Sequence, residues 1–300
     1  RDVAVTGVQT CALPILGSAA LSYLLSDFSP KKLIQVVQGC AVMTVALNLV
    51  SLWKQEARSS KRGEREPDGF SQNWRQLMAV PKMKRFLWTV GLGTAAFSMQ
   101  DIVLEPYGAQ VLGLDVSLTS ALTAMTSAGA LLAFAMSARF MSRGMDACRL
   151  AAIGALIGLP AFACIIFSAP LQSAALFQAG ATLIGFGGGL FSVGMLLSAM
   201  AMTDKSHAGM VLGAWGAVQA TASGLAMAVG GVTRDVVSSL AEQGMLGEAL
   251  VSSVTGYSVV FHIEMYMLFS VLIALGPLVS RKRQAVASQA ARLGLAELPG

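Results

Sequence analysis

Charge is what this chain has least of. Only 12% of its residues are Asp, Glu, Lys or Arg against 55% hydrophobic ones, and the mean hydropathy is +0.65. Soluble domains carry about 25% charged residues, so the composition excludes an ordinary water-soluble domain and predicts an all-α, polytopic membrane protein whose first partner is the lipid bilayer. Histidine is nearly absent, with two residues. Cys11, Cys40, Cys148 and Cys164 include no CxxC pair, which argues against a zinc site or a disulfide framework and leaves them as small apolar side chains. The net charge of +5 could suggest nucleic acid. The basic residues, however, cluster between apolar segments, where they report membrane orientation, and no nucleic-acid partner is implied.

Apolar runs long enough to cross a bilayer as helices lie at 32–53, 86–112, 118–141, 150–168, 174–202, 208–230 and 257–279. Residues 54–85 are polar and rich in Lys and Arg. They read as a solvated cytoplasmic loop, with an anionic-lipid or partner site as the alternative. Arg139, Arg143 and Arg149, then Lys205 and His207, then Arg281, Lys282 and Arg283 fall on the same side. The opposite loops carry Asp115, little around Pro170, and a mixed set of Arg234, Asp235, Glu242 and Glu248. Lys31 and Lys32 are the exception to the alternation.

A long basic loop followed by six closely connected spans is the layout of the second half of a major facilitator fold. The expected organisation is a non-native, adapter-like stretch at 1–15, the end of the N-terminal helical half at 16–53, the basic loop at 54–85, a six-helix bundle at 86–280 and a cytoplasmic tail at 281–300. A signal peptide at the start would need a basic region and a long apolar core that are not there. The chain thus reads as a fragment holding mainly the C-terminal half, with a small transporter of about eight spans as the alternative.

One stretch stands out, Ser98-Met99-Gln100-Asp101-Ile102-Val103-Leu104-Glu105-Pro106-Tyr107-Gly108, because it puts two carboxylates and a proline inside a span. A charge at the bilayer centre costs roughly 3 kcal/mol on insertion scales, so such residues face a cavity or a partner. Helical spacing places Asp101 and Glu105 on one face, with Thr94 and Ser98 extending the stripe, and Pro106 is expected to bend the helix beside Glu105. Proton carriage, recognition of a cation or donor, and ligation of a hard metal such as the magnesium of a chlorophyll all fit this pair. Hydrogen bonding that merely holds the bundle together is the structural alternative.

Other features are less specific. Gly154/Gly158, Gly185/Gly189 and Gly209/Gly213 have the spacing that lets membrane helices approach closely. The glycine run at 185–189 lacks the strand that a nucleotide loop requires. Trp215, Gln219 and Ser223 share a helix face, which suits either a ligand wall or helix packing. His262 and Glu264, two apart, point to different faces. His262 could be an axial ligand to a chlorophyll or sit in the headgroup zone, and Glu264 could be functional or structural.

Gln100 to Gly108, with Val111-Leu112-Gly113, resembles the signature of the PucC/LhaA group, the bacteriochlorophyll-delivery branch of the major facilitator superfamily. Residues 212–221 and 256–264 resemble its later helices, so the likeness covers nearly all of 85–280. Ala109 stands where a second glycine is expected, and the facilitator loop motif is faint around Arg143-Gly144-Met145-Asp146. The resemblance implies a light-harvesting complex assembly factor of the bacterial inner, intracytoplasmic photosynthetic membrane. Bacteriochlorophyll would be its bound or delivered pigment, with antenna polypeptides and pigment-synthesis enzymes as partners. Pigment or ligand contacts are then expected at Gln100, Asp101, Glu105, Tyr107, Trp215, Gln219, His262 and Glu264, with no free metal. Family naming also mentions a bacteriochlorophyll synthase, but a prenyltransferase needs Asp-rich DxxxD motifs and none is present, so no enzyme activity is expected. The alternative function is a proton-coupled small-solute transporter.

Overall fold

The computed structural model describes residues 30–53, 70–80, 82–202 and 208–279. The expected adapter-like start, most of the basic loop, Lys205, His207 and the C-terminal tail lie outside the described residues. Every regular element within them is helical. In order these are α1 (Pro30–Trp53), α2 (Phe70–Ala79), α3 (Met83–Ser98), a 3-10 turn (Met99–Ile102), α4 (Leu104–Val111), α5 (Val116–Ser142), α6 (Ala147–Ser168), α7 (Ala174–Ala201), α8 (Ala208–Glu242) and α9 (Val254–Leu275). Short 3-10 turns precede and follow α9.

Six helices among the described residues are long and apolar enough to cross a membrane: Met83–Val111, Ala121–Ser142, Ala147–Ser168, Ala174–Ala201, Gly209–Glu242 and Val254–Leu278. They match the six segments expected of the bundle, with one correction. The fifth continues well past Gly230, so Arg234 and Asp235 are helical and not in an outer loop. A second difference lies in the basic loop, where Phe70–Ala79 forms α2. Its apolar residues recur at helical spacing, burying Leu77 and half-burying Met78 against α3 and α8 while Trp74 and Arg75 stay exposed.

Glycines set where two of the helices stop. α5 ends with Gly144 at φ +80°, where the Met145 N–H donates to Phe140 O and the Gly144 N–H to Met141 O. This pair of bonds satisfies carbonyls that the helix end would leave free, and the left-handed backbone suits a residue without Cβ. Gly244 repeats the arrangement after α8, with Met245 N–H to Leu240 O and Gly244 N–H to Ala241 O. The faint loop motif at 143–146 is therefore a tight helix-terminating turn.

α7 is the spine of one side of the bundle, in contact with α5 and α6, while α3, α8 and α9 pack on one another on the other side and α9 also meets α6. Two of the three glycine pairs work as expected. A Cβ on Gly154 would come within 2.7 Å of Phe191 N, and one on Gly189 within 2.8 Å of the Ala133 Cβ, so both positions require the smallest side chain. Among the described residues nothing lies within 4 Å of such a Cβ on Gly209 or Gly213, so there that spacing joins no helices. Where α3 begins, Lys82 Nζ donates to Pro277 O (3.0 Å), Arg85 Nε to Ala274 O (2.9 Å) and Arg85 Nη2 to Ile273 O (3.1 Å). The start of α3 thus caps the last carbonyls of α9 with positive charge, which the helix dipole favours.

Candidate functional site

The site grows out of the interrupted first span. Pro106 has no N–H for the carbonyl one turn earlier, and its ring crowds that carbonyl, so the α-helix cannot run through. The interruption falls upstream of the proline: α3 ends at Ser98, Met99–Ile102 tighten into a 3-10 turn, and α4 restarts at Leu104 with Pro106 in its first turn. A proline in a first turn removes a donor that would be unpaired in any case.

Asp101 and Glu105 lie on either side of the restart, both exposed. Gln100, buried at 3% exposure, donates from Nε2 to Asp101 Oδ1 (2.6 Å) and to Phe97 O (3.1 Å). Glu105 Oε1 accepts from Thr123 Oγ1 of α5 at 3.0 Å. The two carboxylates are thus held by different neighbours, Asp101 from within the turn and Glu105 from the next helix. Thr94 is buried and Ser98 half-buried on the approach to them.

Tyr107 occupies the core. It is fully buried, its Oη donates to Ile165 O (3.1 Å) and lies 3.3 Å from Ser168 Oγ, and its ring sits 5.3–5.5 Å from those of Phe177, Tyr257 and Phe261. Such a ring holds the restarted helix against α6, α7 and α9 and presents no free edge.

Below the turn a cavity of about 680 Å³ opens between α3 and α8. Its walls include Leu87, Trp88, Met99, Val218, Ala222 and Leu225. Trp88 is 78% exposed and Leu225 62% exposed, so the cavity is a slot open along one side. Met99 belongs both to this wall and to the 3-10 turn, which connects an apolar slot to the polar break. Ligand pockets of 300–1,000 Å³ with few polar groups are the common form of small-molecule sites.

The remaining expected residues are dispersed. Trp215 and Gln219 are half-buried on α8, Trp215 packing against the core, and neither lines the slot, whose α8 wall is the neighbouring face. His262 and Glu264 do point apart. His262 is exposed, with Nδ1 2.6 Å from Ser258 O of its own helix, whereas Glu264 is fully buried beside the Gln100 backbone.

Sequence reasoning missed a polar knot at the opposite end of the bundle, beyond Pro106. Arg234 Nη2 donates to Gln110 Oε1 (2.7 Å) and Tyr257 Oη (2.6 Å), Nη1 donates to Asp235 Oδ1 (2.7 Å), and Tyr257 Oη donates to Gln110 Oε1 (2.8 Å). The guanidinium also stacks 4.6 Å from the centre of the Tyr257 ring. Three helices, α4, α8 and α9, are joined there. A basic residue at the end of an apolar run looks like a loop residue. The signal that could have found this one was Gln110 and Tyr257, polar residues placed to meet it.

Among the described residues no group of three or more His, Cys, Asp or Glu could hold a metal ion. An apolar slot thus leads to a short polar segment that carries carboxylates.

The family model described as PUCC protein matches residues 11–283. A Rhodobacter capsulatus protein described as "Uncharacterized protein in puhA-bchM intergenic region" is 47% identical over 290 residues, covering 95% of this chain and 61% of that protein. Protein PucC of Rhodovulum sulfidophilum is 45% identical over 228 residues, covering 74% of this chain and 50% of that protein. The chain therefore spans only part of the length of these curated relatives. Among solved structures, a bacterial homolog of the human lysosomal transporter Spinster, inward-facing and unoccupied, is similar with a TM-score of 0.58 at 17% identity over 91% of this chain and 66% of that one. That likeness shows the fold alone, a major facilitator-like arrangement of membrane helices. The sequence matches carry the family: this chain belongs to the PUCC protein family.

Proposed function

We propose that the protein represented by this chain is a light-harvesting complex assembly factor that binds or delivers bacteriochlorophyll within the membrane. The observation that supports this most is the slot between α3 and α8 and its continuity, through Met99, with the break that carries Gln100, Asp101 and Glu105. A pigment of this type pairs a long apolar chain with a flat ring that has polar substituents and a central magnesium. The slot offers the chain an apolar wall already largely formed, so little ordering is needed on binding. Glu105, exposed and oriented by Thr123, offers a hard oxygen to the magnesium or an acceptor to a ring substituent. Family membership supplies the pigment in this reading, and the shape and polarity of the site agree with it.

The test is the absorbance spectrum of the protein purified in mild detergent from pigment-producing cells. The reading expects bacteriochlorophyll to co-purify at a defined stoichiometry and to remain bound without a membrane potential. Protein that is colourless, and stays so after incubation with the pigment, would contradict it.

A further inference from the structure

Glu264 is a buried acid with no side-chain donor among the described residues. It is 0% exposed in the middle of α9, and neither Oε1 nor Oε2 has a hydrogen-bond partner among the described residues. Its carboxyl lies beside the backbone of Gln100 and within electrostatic reach of Asp101. Gln100 adds a third orphan: its Nε2 serves Phe97 O and Asp101, and its buried Oε1 has no partner. Acceptor oxygens thus gather where the last helix meets the broken one; among the described residues their nearest donor is the Gln100 backbone N–H beside Glu264, and no side chain donates to them.

The charged groups on the surrounding elements are engaged elsewhere. From α3, Arg85 binds carbonyls at Ala274 and Ile273, about 14 Å further along α9 at 1.5 Å per residue, and Lys84 is exposed at the same end. From α8, Arg234 binds Tyr257 and Asp235, about 10 Å in the other direction. Arg149 of α6 is exposed near that helix's start, Glu105 of α4 holds Thr123, Tyr107 holds Ile165, and His262 of α9 lies on the opposite, exposed face. Among the described residues, Asp101 is the one charged group that faces Glu264, and its sign is the same.

Three buried acceptor oxygens with at most one backbone donor between them, in an apolar setting, call for an ion or a proton. Two carboxyl groups and one amide are too few for calcium, which takes about six to eight oxygens. Interrupted membrane helices are known to present oxygens to monovalent ions. We propose that the buried Glu264 and Gln100, with the exposed Asp101 at the rim, form a site for one small monovalent cation, a proton or a sodium ion, held between the last helix and the helix break. Occupancy neutralises Glu264 and fastens α9 to the turn that carries the exposed carboxylate of Asp101. This site shares Gln100 and Asp101 with the break at the head of the slot but not the slot itself, and its test needs no pigment.

The purified protein in lipid nanodiscs is titrated with sodium chloride against choline chloride at constant ionic strength, with Tm as the readout. Infrared spectra are recorded in sodium-free H2O and D2O. A sodium site gives a sodium-dependent rise in Tm that Glu264→Gln abolishes. A proton site gives a protonated-carboxyl C=O band that shifts in D2O and disappears in Glu264→Gln, with no sodium response. Gln100→Leu, which removes the orphan amide oxygen without touching the carboxyl, should weaken the sodium response or move the band, and it decides between the outcomes if Glu264→Gln does not assemble. A wild-type protein with neither signal, or signals that survive these substitutions unchanged, overturns the proposal.

Discussion

Met99 and Gly230 are in direct contact: a Cβ on Gly230 would lie 2.8 Å from the Met99 carbonyl oxygen and 2.7 Å from its Cγ. The helix break is therefore pressed against the backbone of α8, and the slot between α3 and α8 is closed at its upper end by that contact.

Gly230→Val should force the two apart. A branched side chain against a backbone oxygen has no rotamer that escapes, and overpacking of this kind costs about 1–3 kcal/mol. Gly213→Ala, with nothing within 4 Å of the new Cβ, should be neutral or gain about 0.5–1 kcal/mol from the better helix former. Thermal melting of the two variants of this chain in detergent checks the contrast, and equal melting temperatures would remove the contact from the account.

The Arg234 knot makes an unequal pair of predictions. Arg234→Met removes the donors to Gln110 and Tyr257 in one step and should destabilise the fold by about 1–3 kcal/mol. Asp235→Asn removes only a surface ion pair, its side chain 67% exposed, and should cost less than about 1 kcal/mol. Denaturation midpoints measured side by side give the comparison, and a larger effect at Asp235 would mean that the ion pair, not the interhelix bonds, holds this end.

At the start of α3, Arg85→Ala uncaps the last turn of α9. The loss of two charge-assisted bonds to Ile273 and Ala274 should cost about 1–2 kcal/mol and raise amide exchange in 273–278 before other parts of α9. Lys84→Ala, at an exposed position and with no such contacts among the described residues, should leave exchange there unchanged. Uniform protection in both variants would show that α9 is held by its packing alone.

The six spans were legible because hydropathy and length are local properties, and each helix of the bundle satisfies its own backbone bonds. The break at Pro106 was legible for the same reason, although its effect falls a turn upstream, where the carbonyl that loses its donor sits. The divergence of His262 and Glu264 followed from helical spacing alone. What could not be read are the relations across the sequence. Arg234 looked like a loop residue because nothing nearby shows that Gln110 and Tyr257 will meet it, and α8 continues through it for that reason. Gly209 and Gly213 have the spacing of a helix contact, but the pattern does not say whether a helix lies opposite. Trp215 and Gln219 share a face as expected, yet the slot opened on the neighbouring one, because the packing of α3 and not the periodicity of α8 decides which face is covered. Thr123 carried no motif, and only the fold brings it to Glu105.

The central claim, a pigment site built from the slot and the break, is tested most directly by titrating purified wild-type protein, Ala222→Trp and Glu105→Gln with bacteriochlorophyll and following the shift of its absorbance. Ala222 lines the slot, and an indole there fills the space meant for the apolar chain. The account predicts saturable binding by wild type, a loss of tenfold or more in Ala222→Trp, equivalent to about 1.4 kcal/mol or more, and a smaller loss in Glu105→Gln, all without a proton gradient. Wild-type protein that does not bind the pigment, or an Ala222→Trp variant that binds it as tightly as wild type, would contradict the account.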